Sequence, residues 1–310
     1  MAKKKKILCL GSGGMILGNF IRYVFHNHKL YSISSLDRVR ESHLIHNIYV
    51  NSDHEFYIAD IMDQHILHVI FQKEKPDIVI FGIDEKSNNN QILSSNIIGT
   101  QNVINECLDS NIKLIYLSTD KVFGPISEND SPCSENTYTN PKDIYAISKL
   151  AGEQLVRGTI GLSYNIVRLS NNYGPWQTNN NLIPNIISSI LENKSISIYG
   201  NGKHMRDWTH VYDSCSALCQ IIETGIDKEI YNISYKQEYY NIEVFQMICN
   251  LFEKGHNLIK FVEDVPNNGA RFAMSNEKIL SLGWVPEYKF KDGLSQICQW
   301  YVSNQYILKM

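Results

Sequence analysis

Between Ile7 and Leu169, short and almost wholly apolar runs alternate with segments long enough to be helices. The runs are Ile7–Leu10, Leu30–Leu36, Phe56–Ile58, Asp77–Phe81, Lys113–Leu117 and Tyr164–Leu169. Met15–His26, Gln64–Glu74, Asn89–Asp109 and Asp143–Arg157 lie between them and read as helices. A half-exposed strand would alternate apolar with polar residues. Strands this uniform are covered on both faces, as in a parallel sheet between two helical layers. The expected fold is α/β, a doubly wound parallel sheet of Rossmann type, whose ligands bind beyond the carboxyl ends of the strands. After Asn171 the pattern changes to shorter elements, with turn signals at 199–203 and 266–270. Residues 1–170 are therefore assigned to the Rossmann domain, with 207–225 returning to it. Residues 171–310 are assigned to a smaller α/β domain closing over the strand ends.

Composition narrows the function classes. The 310 residues are 43% apolar and carry a formal charge of −3, enough for one large or two interlocked domains. A nucleic-acid binder would show a basic stripe, and the one basic run, Lys3–Lys6, reads as solvation of the N-terminus. No apolar run approaches the roughly 20 residues that cross a bilayer, and Ile7–Leu10 is too short for a secretory leader. The seven cysteines are scattered singly. The closest pair, Cys215 and Cys219, falls in a predicted helix without a companion pair, so neither a metal site nor a disulfide framework is expected. The expectation is a reduced, soluble, cytoplasmic protein with no membrane or nucleic-acid partner.

The first strand runs into GSGGMILG, residues 11–18, and then into a helix. Gly11 and Gly14, with Met15 and Ile16 opening the helix, let backbone amides approach a diphosphate at the positive end of the helix dipole. Asp37 ends the second strand about 20 residues beyond the loop, where an acid takes the ribose hydroxyls of NAD; a helix-capping role is its structural alternative. Arg38 and Arg40 follow and keep NADP open as the cofactor. Asp60 and Ile61, after the third strand, border the expected adenine. Tyr145 and Lys149 form Y-x-x-x-K. Tyr199 and Lys203 match the same pattern across a GNG turn, but Tyr145 and Lys149 sit on one helix face at i, i+4. There a neighbouring ammonium is expected to lower the tyrosine's pKa and prepare it as a base.

The stretch LSTDKVFG, 117–124, closes the fifth strand with Thr119, Asp120 and Lys121. Together with the glycine loop, NIIGT (96–100), YAISK, NNYGP (171–175), LIPNII (182–187), IYGNGKHMRDW (198–208), EIYNI (229–233) and RFAMSNEKILSLGWVPEYKFKDGL (271–294), it makes the chain resemble the extended short-chain dehydrogenase/reductases. Within that group it looks most like the nucleotide-sugar 4,6-dehydratases. Three departures stand out. Leu17 occupies the place of the third loop glycine, with Gly18 one step later. FGID, 81–84, stands where the family has H-L-A-A. Lys121 replaces the Glu of T-D-E found in the retaining glucose dehydratases, a change that resembles the UDP-N-acetylglucosamine 4,6-dehydratases that invert C5, as do Lys86 and the VINECL helix (103–108).

The resemblance implies an internal redox reaction through bound NAD(P) in which a UDP-sugar, UDP-GlcNAc, loses water. Tyr145 would take the sugar O4 proton, Thr119 would orient that hydroxyl, and Lys149 would hold the ribose and keep Tyr145 acidic. Asp120 would protonate the departing 6-hydroxyl, and Lys121 would remove the C5 proton. A persistent ion pair with Asp120 would hinder Lys121 in that role by favouring its charged form. The sugar-nucleotide clamp maps onto Lys86, Asn172, Leu182, Tyr199, Arg206, Asn232 and Arg271, whose arginines suit diphosphate oxygens. Alternatives are a retaining UDP- or dTDP-glucose 4,6-dehydratase, then a 4-epimerase or reductase, then a non-enzymatic NAD-binding protein. Helices Asn89–Asp109 and Asp143–Arg157 resemble those that pair in a four-helix dimer interface, which implies a homodimer.

Overall fold

The computed structural model describes residues 4–27, 31–38, 48–49, 51–86, 88–264 and 269–309. Leu30, Arg40 and 266–268 of the second turn signal lie outside them, as does Lys3 of the basic run.

The central sheet contains β1 (Lys5–Leu10), β2 (Tyr31–Asp37), β3 (His54–Ile58), β4 (Ile78–Phe81), β5 (Lys113–Thr119), β6 (Tyr164–Leu169) and β10 (Glu229–Ile233). Their spatial order is β10-β6-β5-β4-β1-β2-β3, and every pairing is parallel. The order reverses between β1 and β4, which opens a crevice at their carboxyl ends. Successive strand residues point to opposite faces, so β1 shows why the apolar runs are continuous. Ile7 and Cys9 enter one core with α1 (Met15–Asn27) and α7 (Val211–Thr224). Leu8 and Leu10 enter the other with α2 (Gln64–Glu74), α4 (Gly99–Asp109) and α5 (Ile144–Gly158).

Two features differ from the expected layout. The helix expected over Asn89–Asp109 consists of α3 (Asn89–Leu93) and α4, joined by a π turn over Ser94–Ile98. In addition, β10 lies within the stretch assigned to the second domain, yet it pairs along β6 from Glu229↔Asn165 to Ile233↔Leu169. Helix α7 packs Val211, Cys215, Leu218 and Ile222 into one core with Phe20 and Val24 of α1. Cys9, Cys215 and Cys219 belong to that core, and the other four cysteines are buried in clusters separate from it; all seven are free thiols.

The second lobe has its own core, in which α6 (Leu182–Glu192), α8 (Asn241–Phe252) and α10 (Phe290–Ser303) surround Tyr173 and Trp208. Strands β7 (Asn171–Tyr173), β9 (Met205–His210), β11 (Glu238–Tyr240) and β13 (Arg271–Phe272) form a small sheet there, and β8 (Ile196–Tyr199) pairs with β12 (Ile259–Val262). Among the described residues no helix is long and apolar enough to cross a membrane.

Candidate active site

A cleft of about 550 Å³ opens at the reversal point, lined among others by Gly11, Gly13, Gly14, Met15 and Ile16 of the glycine loop. The loop is folded tightly over three strand ends. Gly11 has φ +96°, and a Cβ there would come within 2.9 Å of the Ile83 amide nitrogen. Its own amide donates to Leu36 O at 2.9 Å, and the Gly13 amide donates to Asp37 Oδ2 at 2.8 Å. Leu17 is 1% exposed and fills the space over Gly82, where a Cβ would meet Leu17 Cδ1 at 2.7 Å. Two of the departures therefore compensate each other: the larger residue on α1 is matched by a glycine after β4.

These features fit a dinucleotide, with a glycine floor, the start of α1 on the cleft wall, and an acid at the end of β2. Beside Asp37, the Arg38 guanidinium is held by Glu85 Oε2 at 2.5 Å and by Asp60 Oδ2 at 3.6 Å. A 2′-phosphate there would face three carboxylates, so the donor set suits NAD. Asp60 also accepts from the Met62 amide at 3.0 Å. Ile61 is buried against Gly99, which accounts for the glycine of NIIGT by packing.

Thr119, Lys121, Tyr145 and Lys149 line the same cleft. Thr119 ends β5, accepts from the Lys121 amide at 3.4 Å and so caps a 3₁₀ turn over Asp120–Phe123. Its hydroxyl donates to Asp120 Oδ1 at 3.1 Å, while Asp120 Oδ2 is buried without a hydrogen-bond partner. Burial pushes the Asp120 carboxyl above its usual range, against the opposing pull of Arg206, the Thr119 hydroxyl and Lys121. The Lys121 ammonium pairs with Asp143 Oδ2 at 3.5 Å, rather than with Asp120. The other Asp143 oxygen caps α5 by accepting from the Ala146 amide at 2.7 Å, and that helix presents Tyr145 and Lys149.

Lys149 is 2% exposed and donates to Ile83 O at 3.3 Å; burial brings its pKa down to about 8. The expected acidification of Tyr145 is reversed. Burial, then the charge and hydrogen bond of Asp84, push the phenol well above its ordinary value. Asp84 and Lys86 belong to the cleft wall, and their ion pair spans 2.6 Å.

Of the expected clamp, Lys86, Asn172 and Leu182 line the cleft. Asn172 Oδ1 accepts from Ser214 Oγ at 2.6 Å, and its amide donates to Ser170 O at 3.0 Å. Tyr199, Arg206, Asn232 and Arg271 are not part of that wall. Tyr199 is 45% exposed at the end of β8. Arg206 stacks over Phe272 at 5.0 Å and donates to the Met205 and Gly269 carbonyls. Asn232 is fully buried and donates to Cys133 O at 3.1 Å. Arg271 is held by both oxygens of Glu238, at 2.5 and 2.8 Å, and donates to Asp130 O at 2.7 Å. An internal carboxylate thus takes the guanidinium face expected to meet a diphosphate. The sequence reading gave no role to Asp84, Trp176, Gln177 or Trp208, all of which line the cleft. The visible signal for Asp84 was the unusual FGID. Trp176 follows NNYGP and holds φ +65°, with the Arg22 guanidinium 4.3 Å from its ring centroid.

Comparison with known proteins agrees with this geometry. The NAD dependent epimerase/dehydratase family matches residues 7–234. The dTDP-glucose 4,6-dehydratase of Neisseria gonorrhoeae is 32% identical, over 97% of this chain and 97% of that protein. The crystal structure of dTDP-glucose 4,6-dehydratase from Bacillus anthracis in complex with NAD superposes with a TM-score of 0.92 at 29% identity, covering 98% of this chain and 99% of the other. The corresponding enzyme of Streptomyces venezuelae, solved with NAD bound, gives a TM-score of 0.91 at 25% identity, with coverage of 98% and 99%.

Proposed function

The chain belongs to the NAD dependent epimerase/dehydratase family and is an NAD-dependent nucleotide-sugar 4,6-dehydratase, and from that premise we propose how its residues divide the reaction. The observation that carries the reading is Asp120, a buried carboxyl displaced toward its acid form at the end of β5. A 4-epimerase or 4-keto reductase needs no acid there, whereas elimination of the 6-hydroxyl does. When bound, NAD supplies the acceptor and donor for the hydride exchanged between C4 and C6.

Thr119 orients the sugar O4 hydroxyl and Tyr145 takes its proton. The resulting 4-ketone acidifies C5–H, Lys121 removes that proton, and Asp120 protonates the leaving O6. Because the partner of Lys121 is Asp143, the base and the acid are not locked to each other. Lys149 holds the ribose, while Lys86, Asn172 and Leu182 border the sugar nucleotide.

Two substrate readings follow. The relatives named above are dTDP-glucose 4,6-dehydratases and support dTDP-glucose; UDP-glucose is the same reading with another base, and the resemblance to the retaining dehydratases implies that configuration at C5 is kept. Lys121, standing where the retaining pattern has Glu, supports UDP-GlcNAc with inversion at C5. Incubation with dTDP-glucose, UDP-glucose and UDP-GlcNAc in D₂O, followed by NMR of the products, separates them. A 4-keto-6-deoxy gluco product from a glucose nucleotide selects the first reading, and a C5-inverted product from UDP-GlcNAc selects the second. Absence of any 4-keto-6-deoxy product would defeat both.

A further inference from the structure

Lys121 carries its ammonium on a flexible four-carbon stem, so its place in the cleft depends on what holds the far end. The holder comes from another element. Asp143 Oδ2 lies 3.5 Å from Lys121 Nζ, and the centroid of the Tyr145 ring, two residues further along, is 5.8 Å from the same nitrogen. The start of α5 thus brackets the ammonium. The carboxylate next to Lys121 in sequence is engaged elsewhere: Asp120 is buried, and its Oδ1 accepts from the Thr119 hydroxyl at 3.1 Å.

The backbone fixes this juxtaposition. Gly124 N donates to Lys121 O at 3.1 Å, and Asn140 N donates to Val122 O at 3.0 Å. Gly124 has φ +75°, and a Cβ there would collide with Asn140 O, so a glycine lets the 3₁₀ turn and the chain entering α5 approach this closely. Three residues beyond Asn140, Asp143 caps α5, with Oδ1 accepting from the Ala146 amide at 2.7 Å. One oxygen held by the helix restrains the carboxylate, and the other is presented to Lys121. Lys121 lines the cleft and Asp143 does not, so Asp143 acts from behind the wall. With the Lys121 and Asp143 side chains 43% and 33% exposed, water screens the pair and keeps it weak. Such a contact favours one position of the ammonium without locking it there.

We propose that Asp143 is a positioning residue for Lys121: it caps the helix that bears Tyr145 and Lys149 and, with its second oxygen, aims the Lys121 amine group at the sugar. The inference rests on the dehydratase reading in which Lys121 removes the C5 proton.

That proton transfer can be observed alone. In the 4-keto-6-deoxy product C5–H is still α to the ketone. Lys121, as the amine, takes the proton, the C–H electron pair becomes the enolate across C4 and O4, and in D₂O a deuteron returns to C5. No hydride moves and no water leaves. The experiment saturates the holoenzyme with the product that wild type forms, follows C5 exchange in D₂O by NMR, and records thermal melting in parallel. Asp143→Asn and Asp143→Ser remove the charge but keep a good helix cap. Their exchange should slow by about two- to fivefold, the scale of a part-exposed ion pair, with melting close to wild type. Asp143→Glu keeps a carboxylate within reach of Lys121 on a side chain too long to cap well, so it should exchange close to wild type and melt lower. A purely structural cap gives the opposite pattern, with exchange unchanged in Asp143→Asn and Asp143→Ser and reduced in Asp143→Glu; that result overturns the proposal. Lys121→Gln assigns a failure to its source. Exchange at the wild-type rate in Lys121→Gln, or none in wild type, overturns the base reading and the proposal together. Exchange slowed by about 10²-fold or more in Lys121→Gln, but unaffected in both cap-preserving variants, overturns the positioning role alone.

Discussion

Asp120 is 4% exposed, and one of its oxygens has no hydrogen-bond partner. An ionised carboxylate in that position is costly, and burial displaces its pKa above the ordinary 3.8 accordingly. Proton donation to O6 is available below the raised pKa and is lost as pH rises through it, so the elimination step should show a descending alkaline limb. Asp120→Asn removes the donor and should slow dehydration by about 10²-fold or more, while C4 oxidation, followed by nicotinamide absorbance, persists. The same displacement has a stability consequence. A carboxyl with a raised folded-state pKa favours folding below its unfolded pKa and loses that contribution as pH rises through the folded value. Asp120→Asn should therefore melt above wild type at neutral pH in calorimetry, a gain of stability at the expense of turnover. At this scale the sequence identified Thr119, Lys121, Tyr145 and Lys149, because strand ends and i, i+4 helix spacing bring them to one cleft. It did not reveal that Lys121 pairs with Asp143 or that Asp84 shares the cleft wall with Tyr145. Those contacts join loops distant in the chain, and no periodicity encodes them.

Two contacts between elements hold the site's scaffold. Leu17 of α1 packs over Gly82 after β4, and Gly82→Ala would place its Cβ 2.7 Å from Leu17 Cδ1. Overpacking of this kind costs roughly 1–3 kcal/mol. The loss should appear in urea unfolding and be recovered by the double variant Gly82→Ala/Leu17→Ala, whereas additive losses would refute the coupling. The second contact joins β6 to α5, where Arg168 Nε and Nη2 bond Glu153 at 3.0 and 2.6 Å with both side chains at most 2% exposed. Glu153→Gln leaves a buried guanidinium uncompensated and should cost about 3–5 kcal/mol in the same measurement. The element boundaries were mostly legible: Gln64–Glu74 and Tyr164–Leu169 coincide with the expected spans. The π turn was not, because one extra residue in a helix barely disturbs a 3.6-residue pattern. Its cause is tertiary, with Asn96 bonding the Glu85 backbone and Ser148.

For the whole molecule, helices α3–α4 and α5 leave Leu93, Ile98 and Ile147 between 42% and 53% exposed. These are the helices whose pairing would build a homodimer, so light scattering should return twice the 35.6 kDa chain mass, and Ile98→Glu with Ile147→Glu should return the single mass. The sequence by itself determined the parallel sheet, the cofactor crevice and the meeting of Thr119, Lys121, Tyr145 and Lys149 in one cleft wall, since uniform apolar strands, a glycine turn and residues a few positions apart are local facts. Only the tertiary structure decided the rest. It placed Glu229–Ile233 as the seventh strand, because pairing with β6 across about 60 residues has no local signal. It turned Arg271 toward Glu238 and away from the cleft wall, and it put Asp84 and Tyr145 in one cleft wall. Charge alone does not say which opposite charge a side chain will meet; packing brings the partners together and thereby settles which groups hold protons.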